Sequence, residues 1–174
     1  MNKTAEILLY RLFLINALPE PLSTRSRHLQ ILDRYLPGTK LRLREIRDPY
    51  SNERTRLLQK RTYSPESPEI RSSEIQLDVT EYSLFERHSR SELRKNRYFH
   101  EYDQMLFAFD VHLGPLLGLN LAKVSFETRE EFERAGVPAF ASKELTSDRF
   151  FLGENLCQRD YSDVARHLEA AKGR

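Results

Sequence analysis

Apolar and polar residues alternate with a period of two in Lys40-Leu41-Arg42-Leu43-Arg44-Glu45-Ile46 and in Glu74-Ile75-Gln76-Leu77-Asp78-Val79. That spacing predicts strands with one apolar and one charged face. Further strands are predicted over Ile7–Asn16, Leu29–Leu36, Thr55–Tyr63, Arg94–Tyr102, Gln104–Leu113 and Leu119–Glu127, separated by turn signals such as Pro37-Gly38, Asp48-Pro49 and Gly114-Pro115. About eight strands at this spacing suit an antiparallel sheet or barrel. Helices are fewer. One is expected over Val79–Arg90 with Thr80 as N-cap, one after the capping box Thr128-Arg129-Glu130-Glu131, and one over Tyr161–Ala171, where Val164, Leu168 and Ala171 repeat at helical spacing. Ser64–Ser73, rich in serine and proline, reads as an exposed loop.

With 174 residues the chain is expected to form a single domain over 1–174, with its core at about 7–156 and a C-terminal helix at about 161–171. The 39% of apolar residues against 31% of charged ones demand amphipathic elements whose polar faces meet solvent or a cavity. Twenty-eight Lys and Arg against 26 Asp and Glu leave +2, too balanced for a nucleic-acid binder working by bulk charge, so any basic site must be local. No apolar run approaches the roughly 20 residues of a membrane helix. Glu6 interrupts the apolar N-terminus. The protein is expected to be soluble and cytoplasmic, with no membrane partner. Cys157 is the only cysteine, which excludes an internal disulfide and a thiolate metal site built from this chain alone.

Basic residues recur on the polar faces of three strands: Arg42 with Arg44, Arg54 with Arg56 and Lys60, and Lys95 with Arg97. Turned outward, they are solvated partners of acids such as Glu45, Asp48 and Glu53. Turned inward by closure of the sheet, they build a cationic cavity whose guanidinium forks match phosphate oxygens.

The order of short motifs resembles the CYTH domain, or triphosphate tunnel metalloenzyme family, over roughly Leu8 to Leu156. The pieces are Leu-Arg-Leu-Arg at 41–44, Leu-Gln-Lys at 58–60, Glu-Ile-Gln at 74–76, Lys-Asn-Arg-Tyr at 95–98, Phe-Asp-Val-His at 109–112, Gly-Leu-Asn-Leu-Ala-Lys-Val-Ser-Phe at 118–126 and Lys-Glu-Leu-Thr-Ser-Asp at 143–148. The resemblance implies an α+β, mainly β fold: an antiparallel eight-stranded barrel forming a tunnel, with flanking helices. It also implies triphosphatase or class IV adenylyl cyclase chemistry dependent on Mg²⁺ or Mn²⁺.

The departures concern the acidic residues. Leu8, Tyr10 and Leu12 stand where the family has two glutamates and a lysine, Gln76 replaces a carboxylate, Ala108 stands where many members have a glutamate, and Lys123 and Ser125 replace a further acidic pair. A hard divalent cation needs carboxylate oxygens, so the reading is a degenerate member that binds a phosphate-rich anion (triphosphate, polyphosphate or nucleotide) without metal-dependent hydrolysis and without a cofactor. Its phosphate contacts would be Arg42, Arg44, Lys60, Lys95, Arg97 and Lys123. The alternatives are an active enzyme with a metal site rebuilt from Glu74, Asp110, Glu144 and Asp148, or a scaffold that binds a protein partner around a filled tunnel. Asp110 and His112 share a strand face and form a candidate acid/base pair. Cys157 reads as an inert thiol. The basic run from Arg87 to Lys95, followed by Tyr98 and Phe99, is interrupted by Glu92 and carries no nucleic-acid motif, which argues against sequence-specific nucleic-acid binding.

Overall fold

A computed structural model describes residues 6–64 and 67–171. Nine strands form: β1 (Glu6–Ile15), β2 (His28–Tyr35), β3 (Leu41–Arg47), β4 (Arg54–Tyr63), β5 (Ile70–Gln76), β6 (Ser91–Tyr102), β7 (Met105–His112), β8 (Asn120–Phe126) and β9 (Ala141–Glu144). The sheet runs β5-β4-β3-β2-β6-β7-β8-β1-β9, and β5 also pairs with β1, so eight strands close into an antiparallel barrel. β1 makes closure possible by changing partners along its length: Glu6 to Leu8 face Ser72 to Ile70 of β5, and Leu9 to Ile15 face Phe126 to Asn120 of β8. The short β9 adds to the last turn of β1.

Among the described residues there are four α-helices: α1 (Val79–Glu86), α2 (Arg129–Arg134), α3 (Gly153–Leu156) and α4 (Tyr161–Ala170). α1 starts at Asp78 rather than Thr80. The Asp78 carboxylate accepts from the Glu81 N–H at 2.8 Å and Glu81 accepts from the Asp78 N–H at 2.9 Å, a reciprocal capping box that Thr80 cannot build two residues later. The same cap ends the preceding strand at Gln76, so the alternation predicted over Glu74–Val79 is shifted upstream to β5. The expected loop is corrected accordingly: Ile70 to Ser73 are strand, with Ile70 and Ser72 buried on alternate positions, while residues 65 and 66 lie outside the described residues. Asp103 and Gln104, both with positive φ (48° and 63°), form the two-residue turn that sets the register between β6 and β7.

The apolar core lies mostly outside the barrel and at one end of it. Phe13, Ile15, Tyr98, Phe107, Phe109, Ala122 and Val124 face outward and are covered by Leu18, Leu22, Tyr102 and Phe140. At one end, Leu93, Leu116, Leu119, Leu121 and Leu145 pack on Phe151, Leu156 and Val164. The C-terminal segment thus stoppers one mouth. Gly153 makes this approach possible: a Cβ there would lie 1.8 Å from the Tyr35 hydroxyl. No helix among the described residues is long and apolar enough to cross a membrane.

Candidate functional site

Because the outward faces hold the core phenylalanines Phe13, Phe107 and Phe109, the inward faces are left mainly to charged and tyrosine side chains. Arg42 and Arg44 of β3, Asp33 and Tyr35 of β2, Lys95 and Arg97 of β6, Asp110 and His112 of β7, Arg61 and Tyr63 of β4, Tyr10 and Leu12 of β1, and Lys123 of β8 line one cavity of about 450 Å³. Eight cationic side chains and three carboxylates contribute to its lining.

Two carboxylates organise most of these cations. Asp33, 1% exposed, accepts from Arg44 through both oxygens at 2.6 and 2.7 Å and lies 3.5 Å from Arg42. Burial works to raise its pKa, but Arg42 and Arg44 outweigh that and hold the carboxyl ionised, well below the usual range. Arg42 also donates to Gln59 at 2.9 Å, and the Gln59 amide donates to Glu74 at 2.8 Å, so Glu74 is tied into the wall through an intermediary. Two strands further along the sheet, on β7, Asp110 accepts from Lys95 at 2.7 Å and from Arg97 at 2.6 and 2.7 Å. Its pKa is likewise held low by Arg97 and Lys95 against the effect of burial. Lys95 is nevertheless pulled down to about 8, because burial and the neighbouring Arg97 outweigh its attraction to Asp110.

Arg61 and Lys123 differ. Among the described residues, neither has a carboxylate at ion-pair distance, and the buried Arg61 Nε has no hydrogen-bond partner. Burial, with Arg42 and Arg44 nearby, lowers Arg61 to about 10. Lys123 Nζ stands 4.5 Å from the Tyr10 ring centroid. Burial first, then Arg97 and Arg61, drives its pKa well down.

The positions expected to carry phosphate contacts are therefore brought together with one correction. Arg42, Arg44, Lys95, Arg97 and Lys123 line the cavity, but Lys60 is exposed on the outer face and is not part of the lining. The β3–β4 register sets this parity: Gln59 lies opposite the inward Arg42, so Arg61, two residues on, also turns in and Lys60 turns out. Arg61 could have been found from the sequence by counting from Arg42 and Arg44 rather than by matching the Leu-Gln-Lys motif. Asp33 was also missed, although a carboxylate between Ile31 and Tyr35 on one strand face is a signal of an inward polar position.

The four acids of the rebuilt metal site are not brought together. Glu144 sits on β9 in an ion pair with Arg11 at 2.6 Å. Asp148 bonds His167 at 2.8 Å, Asp110 belongs to Lys95 and Arg97, and Glu74 to Gln59. Among the described residues no group of three His, Cys, Asp or Glu side chains could hold a metal ion. Of the three cavity carboxylates, Asp33 and Asp110 already carry two cations each and the exposed Glu154 of α3 is the only one without an ion pair among the described residues, a donor set that does not fit Mg²⁺ or Mn²⁺. His112 lines the cavity beside Asp110, but its Nδ1–H donates to the Leu119 carbonyl at 3.0 Å and burial lowers its pKa to about 4. It is neutral at physiological pH. The Cys157 thiol is raised by burial and donates to the Glu154 carbonyl at 3.2 Å, which leaves little thiolate.

No protein-family model matches the chain, and no curated protein matches it. Among solved structures, the inorganic triphosphatase NE1496 is similar with a TM-score of 0.58 at 22% identity, covering 86% of this chain and 93% of that one. Another structure, of the hypothetical protein NE1496, gives 0.59 at 20% identity over 88% and 99%. The PH1819 protein from Pyrococcus horikoshii OT3 gives 0.52 at 16% identity over 71% and 82%. What the chain shares with these proteins is the closed antiparallel tunnel barrel.

Proposed function

We propose that the protein binds a phosphate-rich anion in the barrel cavity without metal-dependent hydrolysis. The observation that carries this reading is the pair of inward cations, Arg61 and Lys123, that have no described carboxylate at ion-pair distance. An uncompensated buried charge destabilises a fold, and an anion arriving from solvent supplies the missing partner. Arg42, Arg44, Lys95 and Arg97 exceed their two carboxylates and add positive potential, so a chain of phosphates suits the site better than a single carboxylate. Burial lowers the proton affinity of Lys123, and a bound anion works in the opposite direction by giving its ammonium a partner. Hydrolysis is left out because phosphoryl transfer without a metal loses most of the stabilisation of its transition state, and beyond the cation-bound Asp33 and Asp110 the cavity lining offers only the single exposed carboxylate of Glu154.

The test combines two measurements on the whole chain. Inorganic triphosphate at about 100 times its dissociation constant stabilises the fold by about 2.7 kcal/mol in metal-free buffer, seen as a rise in melting temperature. Arg61→Ala removes most of that rise and Lys60→Ala leaves it intact. Phosphate release from triphosphate stays at background with Mg²⁺ or Mn²⁺ added. Metal-stimulated turnover above about 1 s⁻¹ refutes the absence of hydrolysis. Equal melting shifts in the two variants place the anion elsewhere.

A further inference from the structure

We propose that Lys123 is an imine-forming lysine, a covalent anchor for a small aldehyde that carries a phosphate group, with Arg61 holding the phosphate. The inference rests on the anion-binding reading of the cavity and adds a reactive atom to it.

The geometry separates Lys123 from the other lysines. Lys95, in the same cavity, is bound to Asp110 at 2.7 Å, which keeps its ammonium protons engaged. Lys40 is exposed at the rim and Lys60 on the outer face, while Lys143 is half-buried on β9, and neither Lys60 nor Lys143 lines the cavity. Lys123 alone among the described lysines points into the enclosure with an aromatic ring, not a carboxylate, beside its amine. Leu12 lies opposite it in the β1–β8 register, so Tyr10 and Leu12 give the lysine an apolar flank able to receive a carbon skeleton. Arg61, whose Nε is buried without a partner, supplies a donor for phosphate oxygen in the same cavity. The cavity, about 450 Å³, has the size of a small-molecule site.

An amine attacks a carbonyl only through its lone pair, and an enclosure that lowers the affinity of Lys123 for protons keeps that lone pair available. The nitrogen adds to the aldehyde carbon, forming a C–N bond as the C=O π pair moves to oxygen and takes a proton. The carbinolamine then loses its hydroxyl with a proton from nitrogen as one water, leaving C=N. No oxidant or reductant is needed. Once formed, the imine nitrogen can be protonated next to the phosphate it has brought in.

The probe is pyridoxal 5′-phosphate at limiting concentration, trapped with borohydride and located by peptide mass mapping. The expected result is that Lys123 is the principal site, that pyridoxal lacking the phosphate labels it at least about tenfold more slowly, and that triphosphate slows labelling. Between about pH 7 and 9 the rate at Lys123 rises less steeply than at an ordinary exposed lysine, which gains close to tenfold in neutral amine per pH unit. Arg61→Ala slows labelling while leaving the lysine in place, and Lys123→Arg removes the label, its melting curve confirming that it folds. Labelling confined to Lys40, Lys60 or Lys143, or equal rates for pyridoxal and its phosphate at Lys123, overturns the proposal. If Lys123 stays unlabelled while triphosphate still raises the melting temperature, this inference alone fails. If neither probe acts, the anion-binding reading fails with it.

Discussion

Arg42, Arg44, Lys95 and Arg97 line the same cavity as Arg61 and Lys123, yet the first four lean on Asp33 and Asp110 while the last two have no described carboxylate at ion-pair distance. The two sets answer to different forces. Each carboxylate and its pair of cations form an ion-paired unit, hydrogen-bonded except between Asp33 and Arg42 at 3.5 Å, that can be buried without a ligand. Arg61 and Lys123 gain nothing comparable from the fold, and their pKa values move down because of it. A cation kept inside a barrel at a cost to stability is the better candidate for contact with something the chain does not contain.

The largest effect should come from breaking one of the paired units. Asp110→Asn leaves Lys95 and Arg97 buried without their carboxylate and is expected to cost about 3–5 kcal/mol in urea unfolding. Arg61→Met, which removes an unpaired cation, should leave the free protein as stable as before or more so. If the two variants lose stability equally, the distinction between paired and unpaired cations has no energetic content.

A smaller effect should appear in the pH dependence of the free protein. Lys95 has a folded pKa of about 8, below its unfolded value near 10.4, and Lys123 is shifted in the same direction. Over that window the unfolded chain binds more protons than the folded one, so stability rises with pH from about 8 to about 10. Tyr10, Tyr35 and Tyr63, all raised by burial, reverse the slope above about 10, because the unfolded phenols ionise first. On the acid side Asp33 and Asp110, both held low, contribute stability that is present above the ordinary carboxylate range and lost as pH falls below about 4. Melting curves across the range check these slopes. Lys123→Met should flatten the alkaline rise, and an unchanged rise in that variant would show that Lys123 keeps an ordinary proton affinity in the fold.

The same division decides what could be read from the sequence. Seven of the eight barrel strands were legible within a residue or so at most ends, because alternation reports an apolar outer face against a charged inner one wherever the two faces differ in type. β5 was misplaced because Ser72 and Ser73 look alike on either face, and β9 was missed because four residues carry too little period to register. Charge partnerships were not legible at all. Asp33 and Arg44 are 11 residues apart in sequence and Asp110 and Arg97 are 13 apart, and only register brings them within hydrogen-bond distance. Parity was legible in principle, since Lys60 and Arg61 are adjacent cations and only the cross-strand partner of Gln59 tells which one turns in.

The smallest expected effect concerns an ion pair that belongs to neither set. Arg11 and Glu144 join β1 to β9 at 2.6 Å, on a side of β1 that does not line the cavity, and the Glu144 side chain is 34% exposed. Such a pair contributes at most about 1 kcal/mol, so Glu144→Ala should shift the urea midpoint slightly and leave the triphosphate-induced rise in melting temperature unchanged. It also bears on the alternative metal site, of which Glu144 would be a member. If adding Mg²⁺ enlarges the triphosphate shift in the parent protein and Glu144→Ala abolishes that enlargement, then Glu144 reaches the ligand after all. The cavity would then owe part of its charge balance to a metal rather than to Arg61 and Lys123. An identical response to Mg²⁺ in parent and variant keeps Glu144 where its bond to Arg11 puts it, outside the barrel, and leaves the unpaired cations as the anion's partners.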